Sequence, residues 1–145
     1  MKGCYILIAR IDKNSRLKVG KLGLISFNKG YYAYVGSALN GLEQRVNRHL
    51  RKNKKIFWHI DYLLRKTIIK NIFYKQSAKR EECKFAKELE KHFKIIKDFG
   101  ATDCRCRSHL FYSKSYSQLE NAIVELGMSN MRELYVIMEE ERLVV

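Results

Sequence analysis

At 145 residues the chain can hold one domain with a real core, but not two large ones. A hydrophobic content of 46% and the absence of proline set aside a disordered linker, and no apolar run approaches the length of a membrane span. Twenty-nine Lys and Arg against fifteen Asp and Glu give a formal net charge of +14, which points to a polyanionic partner, either nucleic acid or an acidic membrane surface.

The charge is unevenly spread. Residues 1–115 hold 27 Lys and Arg against 9 Asp and Glu, whereas residues 116–145 hold 2 against 6. A uniform solubility charge would not divide in this way, so nucleic acid is the preferred partner. The basic N-terminus has no long apolar core or small-residue cleavage site, so the expected location is cytoplasmic, away from membranes. In a reducing compartment the four cysteines are expected as thiols or metal ligands rather than disulfides.

Residues 3–11 are rich in β-branched and aromatic types and read as a buried strand. Asp12-Lys13-Asn14-Ser15 is a turn cluster. A second strand region runs over 16–27, where Gly20 and Gly23 suggest a bulge or close packing. Asn28-Lys29-Gly30 turns into a third strand, Tyr31 to Val35, and the tight turns predict an antiparallel meander. Asn40 can cap a helix over 41–50 with the apolar stripe Leu42, Val46 and Leu50. A second helix, about 57–66, carries Trp58, His59, Asp61 and Tyr62. Strand character returns over 67–74, and Ser77 can cap a third helix over about 78–93. Residues 99–112 are a loop entering a short strand. The patterns Leu119/Ile123/Leu126 and Leu134/Ile137/Met138, parted by Gly127-Met128-Ser129, predict two helices in the tail.

These elements imply an α/β (α+β) fold, a small antiparallel β-sheet of three or more strands flanked by helices. The basic domain spans 1–115. The acidic helical tail, 116–145, needs an apolar partner, either the domain itself or a second subunit in a homodimer.

Two helix faces carry candidate chemistry. Arg45 and His49 stand four apart and flank the Leu42/Val46/Leu50 stripe, where they can point into a cleft. Arg48, Arg51, Lys52, Lys54 and Lys55 read as a solvated basic surface or as phosphate contacts. On the third helix Glu82 lies on the stripe Phe85, Ala86, Leu89 and Phe93. A carboxylate on a buried face is destabilising by several kcal/mol unless a cation compensates.

Gly3-Cys4-Tyr5, Tyr34-Val35-Gly36-Ser37-Ala38 and the run Gly41 to Leu50, together with Trp58-His59-Ile60-Asp61-Tyr62 and Asp103-Cys104-Arg105-Cys106-Arg107-Ser108-His109-Leu110, resemble the GIY-YIG endonuclease family. The resemblance covers about residues 1–112. It points to a mainly archaeal branch, some of whose members are fused to a base-excision glycosylase domain, and so to DNA repair. It implies that Tyr5 and Tyr34 lie on adjacent strands of one sheet face, one holding the attacking water and the other a phosphate oxygen. It implies that Arg45, nine residues after Val-Gly, stabilises transition-state charge, and that His49 and His59 match histidines of the intron-homing branch. It makes Glu82 the single protein ligand of a Mg2+ (or Mn2+) ion. Cys4 stands where the family has isoleucine, Ser37 where the bacterial excision-repair incision subunit has lysine, and the interval from Tyr5 to Tyr34 is unusually long.

Cys104-x-Cys106-x-x-His109 is compact, and Cys83 lies on the preceding helix. Three thiols and an imidazole would make a closed structural zinc site; buried thiols packing under the sheet are the alternative. The function expected is a metal-dependent DNA endonuclease. The charge does not separate RNA from DNA, and a nucleic-acid-binding module with little or no turnover stays open.

Overall fold

The computed structural model describes residues 1–132. In chain order the elements are β1 (Gly3–Ile11), β2 (Ser15–Lys18), a 3-10 turn (Gly20–Leu22), β3 (Leu24–Phe27), β4 (Gly30–Ala38), α1 (Leu42–Leu50), α2 (His59–Leu64), β5 (Ile68–Gln76), α3 (Glu82–Glu90), β6 (Lys94–Ile95), β7 (Leu110–Ser113), α4 (Tyr116–Glu125) and β8 (Ser129–Asn130). Six strands form one antiparallel sheet in the order β6-β7-β4-β1-β5-β8. Helices flank it, giving an α+β arrangement. Among the described residues no helix is long and apolar enough to cross a membrane.

β1 sits at the centre and is covered on both faces, which is why its sequence is a near-continuous apolar run rather than an alternation. Tyr5, Leu7, Ala9 and Ile11 join Tyr32 and Tyr34 under α1 and α2, against Leu42, Val46, Ile60 and Leu63. Cys4, Ile6 and Ile8 join Ala33 and Val35 under α3 and α4, against Phe85, Leu89, Leu119 and Ile123. Each fully buried Leu, Ile or Phe contributes about 1.5–3 kcal/mol, so both layers hold the sheet.

The expected meander is corrected. β1 pairs directly with β4 over all nine residues of each, and β2 and β3 form a separate two-stranded sheet. The 16–27 region is split because Gly20 and Gly23 both adopt positive φ, which turns the chain. The long interval between Tyr5 and Tyr34 is therefore an inserted lobe that leaves the central register undisturbed. Val19 and Phe27 anchor the lobe in the core beneath α2.

Helix starts also differ from expectation. Gly41, not Asn40, is the N-cap of α1, and Glu81, not Ser77, is that of α3. Ser77 instead accepts from the Lys79 amide in a preceding turn. Glu82 thereby becomes the first residue of its helix. In α1 the third buried position belongs to His49, while Leu50 is 46% exposed. In the tail, α4 buries Leu119 and Ile123 against the sheet, and β8 pairs with β5. The pattern Leu134/Ile137/Met138 lies outside the described residues.

Candidate functional site

β7 pairs with β4 only from Tyr31 to Tyr34, and His109 then accepts from the Val35 amide. Beyond that point, among the described residues, the edge of β4 at Gly36 and Ser37 has no strand beside it on the β7 side. A cleft of about 400 Å³ opens there, lined by Tyr34, Gly36, Ser37, Arg45, Trp58, Arg80, Glu82, Asp103, Cys104 and His109 among others. α1 and α3 pack on opposite faces of the sheet, yet both reach this free edge. Arg45 comes from one side and the first residue of α3, Glu82, from the other.

Arg45 donates from Nη1 to the Ser37 carbonyl at 3.1 Å and lies over the Trp58 ring at 4.4 Å. The guanidinium also donates a hydrogen bond to the Tyr5 hydroxyl, and its fork of N–H donors keeps some for an anion. Two polar atoms of the cleft residues are buried with no hydrogen-bond partner, Ser37 Oγ and Glu82 Oε2. Glu81 Oε2 shares that condition, but Glu81 does not line the cleft. An unpartnered buried carboxylate oxygen is costly unless a cation answers it.

Tyr5 and His49 lie behind the cleft wall rather than in it. The Tyr5 hydroxyl and His49 Nε2 are 2.7 Å apart. The ring abuts Gly36 so closely that a Cβ there would sit 2.3 Å from Tyr5 Cζ and Oη. Only glycine fits opposite Tyr5, which gives the second glycine motif its physical reason. Burial drives the His49 imidazole down to about 3; Asp61 opposes the shift, while Lys54, Arg45 and Arg48 add to it. Burial likewise raises the Tyr5 and Tyr34 hydroxyls above their ordinary range, against the pull of Arg45. Both tyrosines are neutral and His49 is a weak base.

His59 does not line the cleft. Its Nδ1 accepts from the Gly100 amide at 2.9 Å, and burial lowers its pKa. Gly100, at φ 70, lies against the Tyr34 ring. His59 thus fixes the loop that backs Tyr34.

Two of the five cations expected on the solvated face have other employment. Arg48 donates Nη1 and Nη2 to the two oxygens of Asp61 at 2.9 Å each, and its guanidinium also lies over the Trp58 ring, at 4.3 Å. Asp61 is 0% exposed and also accepts from the Phe57 and Trp58 amides. Burial would raise this carboxyl, but Arg48 and those amides hold it below its ordinary pKa. Lys54 caps the end of α1 by donating to the His49 and Arg51 carbonyls. Arg51, Lys52 and Lys55 are exposed.

Trp58, Asp61 and Arg80 carry no site role in the sequence reading. Asp61 had a signal, because it stands three residues after the N-cap Trp58, where a carboxylate reaches back to cap the helix. Arg80 was marked only by its place two residues before Glu82.

Beside the cleft, Cys83, Cys104, Cys106 and His109 place their ligand atoms within 4.8 Å of one another and could coordinate a metal ion. His109 Nδ1 is 3.1 Å from the Val35 carbonyl, which can only accept. The proton therefore sits on Nδ1, and the Nε2 lone pair faces the thiols, 3.4 Å from Cys104 Sγ and 3.9 Å from Cys83 Sγ. All four cysteines are free thiols.

Residues 4–132 match the family described as domain of unknown function DUF123, and the chain belongs to that family. No curated protein and no solved structure matches it.

Proposed function

We propose that this protein is a divalent-metal-dependent endonuclease that hydrolyses phosphodiester bonds in DNA, with a GIY-YIG-like site at the free edge of β4. The observation that carries the reading is Glu82 Oε2, a buried carboxylate oxygen without a partner on a residue that shares a cleft with Tyr34 and Arg45. Glu82 suits a Mg2+ or Mn2+ ion, since magnesium takes few protein ligands and keeps most of its waters. When bound, the ion would supply Lewis-acid stabilisation of the phosphoryl oxygens.

Arg45 gives its remaining N–H donors to the oxygens of the attacked phosphate, where charge builds as water adds to phosphorus and the ester bond opposite breaks. Trp58 and the Ser37 carbonyl keep that guanidinium from swinging away. Tyr34, neutral through burial, orients the water through its hydroxyl rather than acting as a phenolate. Tyr5, His49 and His59 act behind it as positioning groups. Arg51, Lys52 and Lys55 contact neighbouring phosphates and set affinity without choosing sequence. The resemblance to repair nucleases favours damaged or branched DNA as substrate. At the thiol cluster, three sulfurs and one nitrogen suit zinc.

The test is incubation of nicked, flapped, abasic and plain duplexes with the protein and magnesium, beside Glu82→Gln. The variant should lose cleavage and keep DNA affinity. A wild type that binds all substrates and cuts none makes the domain a binding module. A variant that cuts at the wild-type rate removes Glu82 from the site.

A further inference from the structure

We infer that zinc at Cys83, Cys104, Cys106 and His109 is a clasp that assembles the cleft, fixing Glu82 against Tyr34 and Arg45 from a second metal site. The positioning role rests on the nuclease reading above; the clasp itself does not.

The ligands come from three parts of the chain, of which α3 and β4 already share a core layer and the loop between α3 and β7 is the least tied. Cys83 follows Glu82 in the first turn of α3. Cys104 and Cys106 lie in a loop that has no helix or strand and turns at residues 102 and 103. His109 is bound to β4 twice, through its backbone carbonyl to the Val35 amide and through Nδ1 to the Val35 carbonyl. An ion held by all four would therefore tie α3, the loop and β4 into one unit.

Tetrahedral zinc with Zn–S of about 2.3 Å and Zn–N of about 2.0–2.1 Å separates its ligand atoms by about 3.5–3.8 Å. The cluster lies near that spacing before any ion draws it in, at 3.4 and 3.9 Å from His109 Nε2 to two of the sulfurs. The tautomer presents the lone pair to the centre and puts the proton on a carbonyl, as metal-bound histidines do. Binding would release the three thiol protons to solvent and leave an electrically −1 centre.

Two of the four ligands, Cys104 and His109, line the cleft, and Cys83 and Cys104 are chain neighbours of the cleft residues Glu82 and Asp103. A shift of either segment would carry a carboxylate with it. The two sites divide their work by chemistry: soft sulfur closes one around zinc, and hard oxygen leaves the other open to magnesium and substrate.

The test uses the full chain produced with zinc. Elemental analysis should give one zinc per wild-type chain and less than about a tenth of that in Cys106→Ser and Cys83→Ser. Cobalt exchanged into the wild type should show thiolate charge-transfer bands and tetrahedral d–d bands. On zinc removal, and in Cys106→Ser, amide exchange at 82–83 and 101–109 should speed at least tenfold while β1 and β4 stay protected. Unchanged β1 and β4 protection shows that the fold survives. Manganese affinity measured by electron paramagnetic resonance should fall at least tenfold in Cys106→Ser. A zinc-free wild type, a fully loaded Cys106→Ser or unchanged exchange at 82–83 overturns the clasp. Manganese affinity unchanged in zinc-free protein overturns its positioning role. If wild type binds no manganese and cuts nothing, the nuclease reading and that role both fail, and the zinc and exchange results still decide the clasp.

Discussion

The two walls of the cleft solve the problem of buried charge differently. On the α1–α2 wall the buried carboxylate is answered from within the chain. Asp61 receives both Arg48 Nη groups and two backbone amides, and two guanidinium groups lie over the Trp58 ring. On the α3 wall Glu82 Oε2 has no partner among the described residues, three thiols and an imidazole face one another, and the loop over 102–106 has no helix or strand. The first wall is a finished scaffold; the second leaves a buried carboxylate oxygen unpaired beside four residues that could coordinate a metal ion. Residue types alone do not show this, since both walls contain arginine and carboxylate. What separates them is the carboxylate: that of Asp61 is fully bonded, whereas Glu82 Oε2 is not, even though His49 Nδ1 on α1 also lacks a partner among the described residues.

Breaking the finished wall should have the largest effect. Arg48→Ala leaves the Asp61 carboxylate buried with only its two amides, and loss of one partner from such a pair is destabilising by about 3–5 kcal/mol. Urea unfolding of the variant measures this directly. A loss below about 1 kcal/mol would mean that the junction is not a fixed scaffold.

Arg45→Ala sharpens the contrast, because Arg45 lies over the same tryptophan and holds no carboxylate. On the proposed nuclease reading, its removal should slow cleavage by about 10²–10³-fold, on the order of 3–4 kcal/mol of transition-state stabilisation, while stability falls by less than about 1 kcal/mol. Matched kinetics and unfolding decide it. The opposite pattern, intact turnover with a large stability loss, would make Arg45 scaffold too.

Between the walls runs the floor at Gly36. Gly36→Ala brings a methyl group to 2.3 Å from the Tyr5 ring and should be destabilising by about 1–3 kcal/mol through overpacking. Adding Tyr5→Leu removes the ring and should recover part of that loss. A neutral Gly36→Ala would show that the ring is free to move away.

The central strands were legible because burial on both faces leaves an unmistakable apolar run, and the Tyr5 and Tyr34 motifs lie within it. The lobe over 12–29 was misread because two positive-φ glycines cut what composition presents as one strand. Arg48 looked solvated because its partner, Asp61, comes from the next helix, thirteen residues on. Helical phase cannot see that contact. Residue type and its place on the preceding helix group Cys83 with Cys104, Cys106 and His109, and the structure does bring the four together. The spacing from Cys83 to Cys104 carries no zinc signature, and only the crossing of α3 beside β4 brings the two together. His49 displaced Leu50 from the buried face because Tyr5 offers it a hydrogen bond inside the core.

That buried histidine yields the smallest predicted effect, a dependence of stability on pH. Its imidazole is surrounded by Tyr5 from β1, Tyr34 from β4, Arg45 and Arg48 from its own helix, Lys54 after it and Asp61 from α2. With a pKa of about 3 in the fold against 6.5 when exposed, His49 binds its proton in the unfolded chain first. Its contribution to stability is therefore fully present above pH 6.5 and is lost progressively as pH falls toward 3. Between pH 7 and pH 5.5 the loss should be about 1 kcal/mol. His59 and His109 are shifted in the same direction, so the wild type alone cannot isolate this share. Urea unfolding of wild type and His49→Gln at both pH values does so, because glutamine cannot titrate. The variant should be less stable at pH 7 and should lose about 1 kcal/mol less than wild type on acidification. Equal losses would show that His49 takes up its proton inside the fold, and that its contact with Tyr5 is open to water.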